Sequence, residues 1–214
     1  MKVGCMGCLA LLLLLAVVLV GGAAALFSGG AMFDTPALRK ADYSTGNRYL
    51  AQEKMYELVL RDSGRSSRRE PVVITDRELG AFLAGYLKES EGMPVSPMGV
   101  KLLPDIVEVQ GQTALRHLFK GFPSHFLPDY LPSSTMDRPV WVTVRGTIRL
   151  GRERGKTSYK YAQLDVEEFS LGNQDMGAWL LWLLLGQERL RWQVPGVVET
   201  IKIQDGRIVI TVAR

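Results

Sequence analysis

An α+β fold built from antiparallel strands is what this sequence predicts, and three observations carry the expectation. Val140, Val142, Val144, Ile148 and Leu150 alternate with Thr143, Arg145, Thr147 and Arg149, the period of a strand with one face in water. In "IKIQDGRIVITV", Asp205-Gly206 stands between two alternating runs, a strong hairpin signal. "ITDREL" is a helix start: Thr75 as N-cap, Glu78 at the capping-box spacing, Ile74 and Leu79 placed as a hydrophobic staple.

Composition sets the outer limits. The chain has 214 residues, 47% hydrophobic and 22% charged, which is globular and too apolar for a disordered chain. Its net charge is +4, but the basic residues do not interleave with aromatics, and no nucleic-acid partner is expected. Cys5 and Cys8 are the only cysteines. Their C-x-x-C spacing has no second pair and no nearby histidine, so it predicts neither a zinc site nor a disulfide in the rest of the chain.

The elements follow in order. Residues 9–27 hold 19 residues without a charge, close to the ~20 that span a bilayer. Lys2 and the amino terminus supply positive charge on the near side, which places that end in the cytoplasm and the rest of the chain outside it. Ala23, Ala24 and Ala25 also fit a cleavage site, so segment 1–30 is either an uncleaved anchor, contacting membrane over residues 8–27, or a signal peptide. Residues 31–70 read as a stalk, an amphipathic helix over 47–61 with Ala51, Met55, Leu58 and Val59 on one face, and the basic linker "SGRSSRRE". The folded domain is expected over 71–214. Its first helix carries an apolar stripe of Leu79, Phe82, Leu83, Tyr86 and Leu87. Strands follow at 100–103 and from Val107 through Leu115, joined at Pro104-Asp105. The next strand, 140–150, turns at "GRERGK" into a return strand over 159–169, with a bulge expected between Tyr161 and Leu164.

"GAWLLWLLLGQ" predicts a different kind of helix. Ten residues, 176–185, reach ~15 Å, half a bilayer's ~30 Å hydrocarbon core, so this helix does not span alone. Asn173 or Asp175 is placed to cap its start and Gly186 to end it. Because it is apolar all round, it must be covered on several sides, by core, membrane surface or ligand. The long loop 117–138 is rich in aromatics, Phe122 and Phe126 among them, and is expected to fold onto something apolar.

No catalytic constellation stands out. His117 and His125 match no metal-ligand motif, and neither a nucleophile motif nor a phosphate loop occurs. Asp165 and Glu167 are expected on one strand face, where a solvated surface explains them more simply than a carboxylate pair. The expectation is no enzyme, no metal and no cofactor.

Taken together, the apolar N-terminal segment, "PVVITDRELGAFLAGYL", "VKLLPDIVEVQGQ", "RPVWVTVRGTIRL", the apolar helix and "VPGVVETIKIQDGRIVITV" resemble bacterial membrane-anchored proteins related to the tubular lipid-binding superfamily, which includes phospholipid-binding envelope proteins. The resemblance covers residues 71–214; Gly80 stands where such families often carry Asn. It implies a curved antiparallel sheet wrapped around one or two apolar helices, preceded by a transmembrane and an amphipathic helix. It also implies a single-pass protein of the bacterial inner membrane with a periplasmic domain and a groove for acyl chains or phospholipid. One wall of that groove is expected from Leu79, Phe82, Leu83 and Tyr86, the other from Trp179, Leu180, Trp182 and Leu183, with Phe122 and Phe126 in the adjoining loop. The alternative is an envelope scaffold with a solid interior, docking another envelope protein through loop 117–138.

Overall fold

The computed structural model describes residues 30–35, 45–119, 133–152, 160–185 and 190–213. The expected membrane segment over 8–27, and Phe122 and Phe126, lie outside the described residues. Among the described residues, no helix is long and apolar enough to cross a membrane.

The fold is α+β, and every strand pairing described is antiparallel. A short 3-10 helix, Gly30–Phe33, precedes α1 (Thr45–Asp62), β1 (Val72–Thr75) and α2 (Asp76–Ser90). The chain then forms β2 (Met98–Leu103), β3 (Ile106–Ala114), α3 (Leu115–Phe119), α4 (Ser133–Met136), β4 (Pro139–Arg152) and β5 (Lys160–Leu171). It ends with β6 (Gln174–Asp175), α5 (Ala178–Leu185), β7 (Arg191–Val194), β8 (Val198–Gln204) and β9 (Arg207–Val212). The strands make two sheets rather than the single one expected. One has the order β1-β9-β8; the other runs β2-β3-β4-β5-β6, with β7 also pairing β5. The turns of the two hairpins join the sheets: the Asp105 amide donates to the Ile203 carbonyl at 3.1 Å, and the Gly206 amide to the Leu102 carbonyl at 3.0 Å.

The capped helix forms as its residues dictate. Thr75 Oγ1 accepts from the Glu78 amide at 3.3 Å, and Glu78 Oε2 accepts from the Thr75 amide at 2.8 Å. Ile74 and Leu79 are buried in one cluster, as a staple requires. Glu78 also holds α1, because Lys54 Nζ lies 2.7 and 2.8 Å from its two carboxylate oxygens. Helix α1 packs Ala51 and Leu58 into the interior, with Met55 partly buried. Val59, expected on that face, points outward and is 51% exposed. Thus α1, on the N-terminal side of the expected boundary at Pro71, packs against the same core as β1 and α2.

Two further expectations change. Leu115 is not part of the strand: β3 ends with Ala114 opposite Pro139, and Leu115, whose amide still donates to the Arg138 carbonyl at 3.2 Å, opens α3 fully buried. The bulge sits beyond the expected stretch between Tyr161 and Leu164, at Glu167. Arg145 pairs with Glu168 and Gly146 with Val166, so Glu167 is the extra residue. Gly146 permits this close approach, since a β-carbon there would overlap the Asp165 carbonyl. The physical reason for the bulge is parity. Ala162, Leu164 and Val166 point to one face, and without an extra residue Phe169 and Leu171 would point to the other.

Candidate functional site

With that bulge, register places one set of side chains on a single face of the six-stranded sheet. These are Met98, Val100 and Leu102; Val107, Val109, Gly111 and Thr113; Val140, Val142, Val144, Gly146, Ile148 and Leu150; and Ala162, Leu164, Val166, Phe169 and Leu171. Thr113 is the one polar side chain among them, and its hydroxyl donates to the Pro94 carbonyl at 2.9 Å. The opposite face is mostly polar, with Trp141 buried near the start of β4. There Arg145 pairs with Glu168 at 3.3 Å and Arg149 with Asp165 at 2.8 Å. Because Glu167 is the bulge residue, it is Asp165 and Glu168 that register brings to this outer face, not Asp165 and Glu167, and arginines engage both.

Two buried clusters cover the ends of the inner face. One gathers Met32, Leu115, Leu118, Met136, Val140, Val166, Phe169, Leu171, Met176, Leu181 and Leu190. The other gathers Leu58, Val72, Ile74, Leu79, Val100, Leu102, Val107, Val198, Ile203, Ile208 and Ile210. Where they meet is a seam of half-buried apolar side chains packed against them: Val142, Val144 and Leu164 against the first, Val109, Ile148 and Leu150 against the second. At its far end Arg152 and Lys160 pair across β4 and β5 on the same face; Arg152 is exposed, and Lys160 Nζ donates to the Val198 carbonyl at 2.6 Å. The seam was legible in the alternation of 140–150, but nothing local marks which stretch of that face the cores leave half-covered.

The residues expected to wall a site are distributed as follows. Leu79 is buried in the second cluster and Leu83 packs against it. Phe82 is half-buried and stacks on Tyr86 with ring centroids 6.3 Å apart, while Tyr86 is itself 47% exposed. Leu180 packs against the first cluster, so the two expected walls belong to different clusters. Trp179 and Trp182 are 64% and 44% exposed. The Leu183 side chain lies outside the described residues, as do Phe122 and Phe126.

Among the described side chains of helix α5, burial is therefore confined to one side. Leu181 is buried and Ala178 and Leu180 are half-buried, while Trp179 and Trp182, three positions apart and so on one helical face, look outward. Its approach is shaped by Asp175, whose Oδ1 accepts from the Gly177 amide at 2.9 Å. Met32 in the 3-10 helix joins this region, while Trp192 on β7 faces inward opposite Ala162 toward the other end of the seam, exposed at the sheet edge; no sequence signal announced either.

Among the described residues, no three His, Cys, Asp or Glu side chains converge as a metal site would require. Comparison of the sequence with protein-family models gives no match, and comparison with curated proteins gives none either.

Proposed function

We propose that this chain is a non-enzymatic, membrane-tethered extracytoplasmic protein that binds or shields a lipid-like apolar ligand. The observation that supports the reading is the half-buried seam between the two clusters. In this reading the six-stranded sheet curves around an acyl chain lying along Val109, Val142, Val144, Ile148, Leu150 and Leu164, and α5 closes one end. Residues 8–27 form the transmembrane helix of a bacterial inner-membrane protein with a periplasmic domain. Removing each methylene from water contributes ~0.8 kcal/mol. Selectivity among chains is low, because Thr113 already spends its hydroxyl on Pro94. Arg152 and Lys160 would meet an anionic headgroup at the far end of the seam.

Native mass spectrometry of the full chain tests this. Lipid held around residues 9–27 is common to all variants, so the difference between wild type and Val144→Phe/Ile148→Phe reports the seam. The expected result is a several-fold loss of tightly bound phospholipid with an unchanged melting temperature, because the new rings fill space the ligand held. If the interior is solid instead, as a partner-docking scaffold would have it, each larger side chain overpacks it and costs about 1–3 kcal/mol with no change in lipid.

A further inference from the structure

The chain leaves very little slack between its apolar N-terminal segment and its folded body. Segment 9–27 carries no charge, and only Ser28 and Gly29 separate Phe27 from the 3-10 helix Gly30–Phe33. Three backbone steps from Phe27 to Gly30 span at most about 11 Å. That 3-10 helix is not a loose stalk. Met32 is fully buried, the Ala31 carbonyl accepts from the Asn173 amide at 2.9 Å, and the Arg138 guanidinium lies 3.9 Å from the centre of the Phe33 ring.

The cluster that receives Met32 also contains Met176 and Leu181, which flank and belong to α5. The end of the body clamped closest to the apolar segment is thus the end that bears Trp179 and Trp182. An apolar helix with two outward tryptophans matches what sits at a membrane–water interface, where indole rings are enriched because one edge is apolar and the N–H still reaches water.

Building on the tether in the proposed function, we infer that α5 docks on the membrane that residues 9–27 span, inserting Trp179 and Trp182 into the interface. The short spacer makes this an intramolecular contact: the tether keeps the helix at high local concentration beside the bilayer, so two aromatic anchors suffice where a free domain would need more. Docking also fixes which end of the seam faces the lipid surface, since Phe169 and Leu171 of the same cluster sit at the α5 end and Arg152 at the other.

The test uses the full chain in liposomes of phosphatidylglycerol and phosphatidylcholine, the latter brominated near the headgroup end of its acyl chains. Tryptophan emission should be blue-shifted, shielded from aqueous acrylamide and quenched by the brominated lipid. Most of that quenching should vanish in Trp179→Phe/Trp182→Phe, whose circular dichroism should match wild type because both positions are on the surface. A pair that stays open to acrylamide and untouched by bromine overturns the inference. Shielding from both reagents does so too, since the cover is then protein, whether a second copy or the chain itself. Release of the chain by carbonate wash removes the tether and the inference with it. The proposed ligand is read separately: Val144→Phe/Ile148→Phe should lose bound phospholipid and keep the bromine quenching, so either idea can fail while the other stands.

Discussion

Replacing Gly172 with alanine is expected to destabilise the protein by about 4 kcal/mol, in two parts. Gly172 has φ +58, in the left-handed region, which costs an L-residue about 1–2 kcal/mol. Its missing side chain also makes room for the N-terminal segment: a β-carbon there would overlap the carbonyl oxygens of both Ala31 and Met32. The Gly172 amide donates to the Trp141 carbonyl at 2.8 Å and the next amide donates to Ala31, so the turn cannot step aside without losing its hydrogen bonds. The segment must yield instead, and withdrawing a fully buried methionine costs a further 2–5 kcal/mol or so. Thermal unfolding in mild detergent should show a melting temperature lower by about 8–16 °C, at about 2–4 °C per kcal/mol for a chain this size. Limited proteolysis should open near residues 30–35. An unchanged melting temperature and protease pattern would mean that Met32 is not docked.

Glu78→Ala is expected to cost about 2–3 kcal/mol, because one side chain serves two helices. It accepts the Thr75 amide that starts α2 and pairs with Lys54 of α1, and its removal leaves both donors without that acceptor. Lys54 is about one-third exposed, which keeps the effect below that of a fully buried pair. Glu78→Gln keeps an acceptor for the Thr75 amide and should cost less.

The same carboxylate predicts acid sensitivity. Burial opposes ionisation of Glu78, but hydrogen bonds from Lys54 and Thr75 outweigh it and hold the carboxyl below the ordinary glutamate range. Glu57 is lowered by hydrogen bonds from Ser66 and Arg61, and Glu89 by Arg48. With the folded-state values depressed, the unfolded chain takes up protons first as pH falls. The stabilisation is complete above the ordinary value of about 4.3 and is lost as pH drops through the lower folded values. Unfolding free energy measured by urea should therefore decline below about pH 4.5, with a shallower slope in Glu78→Gln. Equal slopes in the two proteins would remove Glu78 from the account.

How far the sequence reaches is visible in particular residues. The capping box at Thr75 and Glu78 and the turns at Pro104-Asp105 and Asp205-Gly206 were legible because each depends on residues within a few positions of one another. The bulge was anticipated in β5 but not at Glu167. The run from Gln163 to Glu168 reads as alternating in more than one way until Phe169 is pinned opposite Val144. Val59 looked like a core residue on a helical wheel, yet a helix packed by Ala51, Met55 and Leu58 leaves it outside. In the expected walls, pattern alone could not show that Leu79 and Leu180 join different clusters.

The amino-acid sequence by itself determined the α+β class, the capped helix, the two tight hairpins and an all-apolar helix too short to span, since propensity, capping and periodicity act over a turn or two of chain. Only the tertiary structure decided that Val72 pairs with Ile210, that the strands split into two sheets, that a central seam stays half-covered, that Met32 is clamped beside Gly172, and that Trp179 and Trp182 face outward. Those outcomes depend on segments far apart in the chain competing for the same surface, and which of them wins is settled when the whole sheet closes rather than in any stretch read alone.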